Sequence, residues 1–215
     1  MNTHNTTIVE AEYAHPATEG QLIKTALGSA AWCNLSPEIQ KRFETDPDTV
    51  VEYNGVMSEV YCSYIGRMIA FICKFFGSPL VPYNGKNIPI HVMVYKKDKD
   101  IFKKRTYYFP GKSPFTVKTR MHVDASGKFI EYANLSLGMV MTLHASEGNL
   151  YFRGHRYVLS IGSLHIPIPT WTTPGIVNVK HADYEPKQFR VRIEMRHPWF
   201  GITFMQDGVF KQKEG

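Results

Sequence analysis

The sequence predicts an α+β fold: a mostly antiparallel, strongly curved β-sheet, forming a partial barrel or sandwich, with an N-terminal helical segment packed on it. Three observations carry this. Beyond about residue 88, apolar and polar residues alternate with a period of two, as strands with one buried and one wet face require. Turn-forming clusters punctuate these runs at Pro110-Gly111-Lys112, Ala125-Ser126-Gly127, Glu147-Gly148-Asn149, Ile161-Gly162-Ser163, Pro174-Gly175 and Asp207-Gly208. No helical pattern intervenes, which favours antiparallel strands over parallel units joined by crossover helices.

Each element follows in order. Residues 1–20 are polar and aperiodic and are expected to form a flexible arm, leaving 21–215 as one β-rich domain, a length that sandwiches and barrels commonly reach. Ser36 reads as a helix N-cap, with Pro37 at the first helical position and Glu38 in the first turn. That helix carries Ile39 and Phe43 on one face and is expected to stop near Asp46-Pro47. A second helix is expected over residues 57–76, with Tyr61, Ile65, Met68, Ile69, Ile72 and Phe76 at helical spacing and Gly77-Ser78-Pro79 as its stop. Glu59, Arg67 and Lys74 interrupt it, so it reads as a packing helix or a peripheral membrane contact and not as a span. The clearest strands are 115–123, with Phe115, Val117, Thr119, Met121 and Val123 on one face, and 189–196, where Phe189, Val191, Ile193 and Met195 alternate with Arg190, Arg192, Glu194 and Arg196. Leu137, Met139, Met141 and Leu143 repeat the pattern, as do Tyr157, Leu159 and Ile161.

Composition narrows the function classes. A net charge of +6 suits solubility and mild affinity for anionic surfaces, but it is not gathered into the stripe that nucleic acid needs, so no nucleic-acid partner is expected. Cys33, Cys62 and Cys73 have neither zinc-site nor disulfide-framework spacing, and the N-terminus has no secretory pattern, so the cytoplasm is the expected compartment.

On this layout the chain resembles an uncharacterised bacterial family, numbered 4166 among the domains of unknown function. The resemblance runs from about the second helix to the C-terminus. Its residues are Gly66-Arg67 with Phe75, Gly77 and Pro79; Ile88-Pro89-Ile90; Tyr107, Phe109 and Gly111; Gly148-Asn149-Leu150; Leu164-His165-Ile166-Pro167-Ile168-Pro169; and Gly208-Val209-Phe210. It implies a shared fold and no activity. Members typically carry a Trp and an Arg before the Phe of the second strand, where this chain reads Lys104-Arg105-Thr106-Tyr107-Tyr108-Phe109, so no role is carried over to those positions. Fusion of some relatives to oxidoreductase-like or membrane domains implies an accessory or ligand-holding role.

Candidate chemistry is sparse. Arg120, His122 and Asp124 share one strand face, and a His beside a carboxylate is a general base or metal ligand in the right setting. The other face of this strand is the apolar one, so the three most simply face water as a structural charge network. His144, His155, His165 and His181 lie near strand ends without ligand-pair spacing, so no metal site is predicted. No nucleophile elbow, phosphate loop or dinucleotide fingerprint occurs, and no cofactor is expected. Lys96-Lys97-Asp98-Lys99-Asp100 and Lys103-Lys104-Arg105 read as a solvated hairpin that keeps a sheet edge soluble. The most suggestive surplus is apolar. Met93, Tyr95, Met139, Met141, Phe152, Trp171, Trp199 and Phe204, together with Phe200, are candidates to line a pocket for a hydrophobic ligand, the competing reading being that they fill a core.

The leading expectation is therefore a non-catalytic binding domain for a hydrophobic or lipid-like small molecule at a membrane surface, touching it through residues 57–76. The alternatives are an enzyme or oxidoreductase-associated subunit using His122, Asp124 and Arg120, and a protein-interaction module working through an exposed sheet edge.

Overall fold

The computed structural model describes residues 18–44, 50–75, 80–98, 100–124, 126–133, 136–162 and 164–213. Within them the period-two segments become eleven strands in one sheet. These are β1 (Val51–Cys62), β2 (Gly85–Lys97), β3 (Asp100–Tyr107), β4 (Phe115–Val123), β5 (Phe129–Tyr132), β6 (Leu137–Ser146), β7 (Asn149–Ile161), β8 (Leu164–Ile168), β9 (Ile176–Asp183), β10 (Gln188–His197) and β11 (Gly201–Gln212). Their order is β6-β5-β4-β3-β2-β1-β11-β10-β9-β7-β8, and β6 also pairs with β7 along its length. That pairing closes ten strands into an antiparallel barrel, a more specific architecture than the expected partial barrel or sandwich. β7 makes closure possible by dividing its outer edge: Leu150–Arg153 pair with β9, and Tyr157–Ile161 with β8. Closure satisfies the backbone donors and acceptors that an open edge would leave bare.

The inward faces are the apolar ones. Ile88, Ile90, Val92 and Val94 of β2 are all buried, while His91, Met93 and Tyr95 point outward. Gly55 of β1 faces inward, where a β-carbon would stand 2.4 Å from the Phe210 ring, so its missing side chain makes room for that ring.

Helices close the two ends. α1 (Glu19–Leu27), α2 (Ser29–Trp32) and α3 (Pro37–Phe43) gather at the end where β1 begins. α1 opens with a full capping box, the Thr18 and Gln21 side chains each bonding the other's backbone N–H. Ser36 caps α3 as the sequence predicts, its Oγ accepting from Ile39 N at 3.2 Å, with Pro37 leading the helix. The Ser36 N–H donates to the Gly148 carbonyl at 2.9 Å, which fastens α3 to the β6–β7 hairpin. Leu22, Ile23 and Ile39 are fully buried, and each such side chain contributes about 1.5–3 kcal/mol to holding the helices in place.

The opposite end carries α4 (Tyr64–Phe75) and the 3-10 turn Thr170–Thr172. Here one expectation is corrected: residues 57–62 of the anticipated 57–76 helix are strand, and the helix begins only at Tyr64. The cause is a bulge in β1 between Met57 and Glu59, which shifts the buried positions from Tyr53 and Met57 to Val60 and Cys62. The three-residue step from Met57 to Val60 imitates helical spacing. α4 docks on β11 through Gly66, where a β-carbon would lie 2.2 Å from the Thr203 carbonyl oxygen. The arm expected over 1–20 lies outside the described residues up to 17; from Thr18 onward the chain is capped and helical. The helix stops at Asp46-Pro47 and at Gly77-Ser78-Pro79 also lie outside them.

Candidate functional site

The barrel encloses a cavity of about 500 Å³. That size falls in the range of small-molecule sites. Most of its wall is apolar, from Val92 and Val94 of β2, Met121 of β4, Met139 and Met141 of β6, Phe152 of β7, Val177 and Val179 of β9, Phe189, Val191, Ile193 and Met195 of β10, and Phe204 and Phe210 of β11. Ile69, Ile72 and Cys73 of α4 and Leu80 complete it at the far end.

Set into this wall, toward the α1–α3 end, is a group of charged side chains. Lys103 Nζ meets Glu19 Oε1 at 2.7 Å. Arg105 reaches Glu131 at 3.3 Å and donates to Thr119 Oγ1 at 2.9 Å. Burial works against a charge on Glu131, but the Arg105 and Lys103 charges, with hydrogen bonds from Thr119 and Arg105, hold its carboxyl below the usual range. Arg42 comes in from α3. Its guanidinium lies over Phe189, with Cζ 3.9 Å from the ring centroid, and beside Phe43 at 4.4 Å. Its Nη2 is 3.0 Å from His181 Nδ1. Burial, then the charges of Arg42, Lys103 and Arg105, push the His181 imidazole well below its ordinary value, so it is neutral and Nδ1 accepts from Arg42. Burial pulls Arg42 itself down to about 10, with Tyr53, Glu19 and Asp183 acting the other way; it remains a cation at neutral pH. Deeper along the barrel, the Tyr107 hydroxyl donates to Gln206 Oε1 at 2.9 Å, and Gln206 Nε2 is buried without an acceptor among the described residues.

The α4 end differs in character. Tyr64, Met68, Phe71 and Ile72 of α4, Leu164 and Ile166 of β8, Trp171 on the 3-10 turn, and Trp199 and Phe200 at the β10–β11 turn are all exposed. Trp171 stacks on Trp199 at 6.0 Å. His197 fixes the pair, its Nδ1 accepting from the Trp199 N–H at 3.2 Å and its Nε2 3.1 Å from the Trp171 carbonyl. Ile72 both lines the cavity and is 54% exposed, so α4 is a thin cover. No described helix is long and apolar enough to cross a membrane.

A model of the family described as a domain of unknown function, DUF4166, matches residues 35–210. The chain belongs to the DUF4166 family. A relative, the uncharacterized protein YndH of Bacillus subtilis strain 168, is 25% identical over 189 residues, covering 84% of this chain and 92% of that protein. No solved structure matches. The DUF4166 match takes in Arg42, Lys103, Arg105, Glu131 and His181, but it begins after Glu19.

Of the pocket residues anticipated from sequence, this DUF4166 chain brings Met139, Met141, Phe152 and Phe204 to the cavity. Met93 and Tyr95 are not among its lining; they stand on the outer wall, where Tyr95 stacks on Phe102 at 5.5 Å. Trp171 and Trp199 are also displaced from it, on the exposed rim. Arg120 and His122 lie on the outer face and converge on Asp100, at 2.6 and 2.7 Å, while Asp124 turns away to cap the β4–β5 turn through Ser126 and Lys128. Burial opposes the charge on Asp100, but hydrogen bonds from His122 and Arg120 prevail and hold its carboxyl low. No cluster of three or more metal-ligating side chains occurs among the described residues.

The charged cavity residues were missed by sequence reasoning. The expectation that Lys103 and Arg105 belong to a solvated hairpin is corrected: they share the inward face of β3 with Ile101 and Tyr107, well inside the β2–β3 pairing that extends to Lys97 and Asp100. Parity with those two apolar residues was the available signal.

Proposed function

We propose that this domain binds a hydrophobic or lipid-like small molecule inside its barrel, without catalysis, at a membrane surface. The observation that carries the reading is the cavity of about 500 Å³, walled by aliphatic, methionine and aromatic side chains. An apolar cavity of this size is costly to leave empty and poorly solvated by water, so an apolar guest stabilises the fold that holds it. Methionines at 121, 139, 141 and 195 give the wall an adaptable surface. The exposed apolar residues around α4 supply the membrane side of the proposal, because they cluster at the end where Ile69, Ile72 and Cys73 of α4 cover the cavity. The His122–Asp100 pair is on the outer wall and offers an enclosed molecule no chemistry. Barrel closure leaves β8, five residues long, as the free edge among the described strands, so recognition through an open sheet edge has little strand to use.

Titration with the uncharged dye Nile red tests the reading. Saturable binding of one dye per chain, with a blue-shifted emission and displacement by 1-dodecanol, is expected. Absence of saturable binding overturns it.

A further inference from the structure

Building on that reading, we infer that the guest is an amphiphile carrying a single carboxylate, held by Arg42 at the α1–α3 end with its tail directed toward α4. The argument begins with charge. Arg42, Lys103 and Arg105 line the cavity against two carboxylates, Glu19 and Glu131, which leaves one positive charge in excess. His181 is neutral and adds none. Lys103 is matched by Glu19 and Arg105 by Glu131, so the excess resides on Arg42. Glu19 and Asp183 both act on Arg42 electrostatically, but Glu19 is held by Lys103 at 2.7 Å, and Asp183 is exposed at the barrel end and does not line the cavity.

Geometry points the same way. The Arg42 guanidinium carbon lies over the Phe189 and Phe43 rings, and a ring supplies none of the oxygen or nitrogen acceptors that its N–H donors need. Nη2 is spent on His181. Nη1 is shielded from solvent and has no hydrogen-bond partner among the described residues. A buried guanidinium edge without an acceptor is costly, and a carboxylate oxygen supplies the missing acceptor and the missing charge together. A phosphate monoester brings nearly two negative charges to a site with one in excess, so carboxylate is the better match. The wall toward α4 is mostly apolar, through Met139, Val177, Phe204 and Ile69, with Gln206, Thr172 and Thr173 as its neutral polar members, which suits an uncharged tail.

The experiment compares dodecanoic acid, dodecyl phosphate and 1-dodecanol as competitors of Nile red on the full chain at pH 8, for the natural protein and for Arg42→Met. The acid is expected to bind the natural protein about tenfold more tightly than the alcohol, the fold-change that one hydrogen bond to a charged group provides. Arg42→Met is expected to remove that preference, weakening the acid by more than the alcohol. Equal affinity for acid and alcohol in the natural protein overturns the inference without recourse to a variant, as does tighter binding of the phosphate. Should Arg42→Met fold poorly by circular dichroism, the acid-to-alcohol ratio of the natural protein alone decides. If none of the three displaces the dye, or the dye itself fails to bind, the cavity reading falls, a result distinct from binding without acid preference.

Discussion

The Arg42 guanidinium and the His181 imidazole meet inside the barrel at 3.0 Å, joining a helix near the N-terminus to a strand near the C-terminus across 139 residues of sequence. The contact requires His181 to be uncharged, since its Nδ1 accepts from a cation while Lys103 and Arg105 stand nearby. It links the plug formed by α1–α3 to the barrel wall and makes the charged end of the cavity sensitive to acid.

Stability should fall as pH drops below about 6.5. His181 has a folded-state value held well below the ordinary one, so the unfolded chain takes up the proton first, and each step down from 6.5 favours unfolding. Glu131 acts later: its lowered value gives stability that holds above about 4.5 and is lost as pH falls through the folded value. His144, depressed by burial and by Arg153, titrates in the same window as His181, so the informative quantity is a difference between proteins. His181→Gln keeps an acceptor for Arg42 but cannot titrate. Thermal melts from pH 7.5 to 5 are expected to show a shallower loss of Tm in this variant; an unchanged slope contradicts a neutral, buried His181.

Tyr107→Phe removes the hydroxyl that bonds Gln206 Oε1 at 2.9 Å. Gln206 is 1% exposed and its Nε2 already has no acceptor among the described residues, so the variant leaves the whole amide unsatisfied in the barrel interior. A loss of about 1–3 kcal/mol is expected, read as a lower urea midpoint at constant m-value. Binding of an apolar competitor should change little, because the ring itself remains.

Membrane contact should depend on the rim and not on the cavity. Met68 and Trp199 are exposed at the α4 end, Trp199 at 68%. Replacing both with Ser is expected to lower partition onto phosphatidylcholine vesicles by about tenfold or more in a flotation assay, given the apolar area each would bury, while Nile red binding in solution persists. Equal flotation of the variant and the natural protein removes the rim from the proposal.

Some of this architecture is written locally, and particular residues show where that stops. Ser36, Pro37 and Glu38 specify the start of α3 unaided, since a cap satisfies donors only three residues away. In β10, the alternation from Phe189 to Arg196 is enough to name the inward face, because successive side chains on a strand must point to opposite sides. The same parity would have turned Lys103 and Arg105 inward, but a run of basic residues next to a hairpin resembles an ordinary solvated turn, and their carboxylate partners lie far away at Glu19 and Glu131.

By itself, the chain determined the strands whose faces alternate cleanly, β4, β6 and β10, with their inward sides, and the cap of α3, because those follow from φ/ψ preferences and apolar spacing among neighbours. Closure, the cavity and the placement of Arg42 were decided only in three dimensions. The β6–β7 pairing and the division of β7 between β8 and β9 depend on how far the sheet curls, a sum over every strand that no local window contains. The bulge after Met57 shows the same physics on a small scale: one extra residue in β1 reversed which side chains face the core, and only pairing with β11 reveals it.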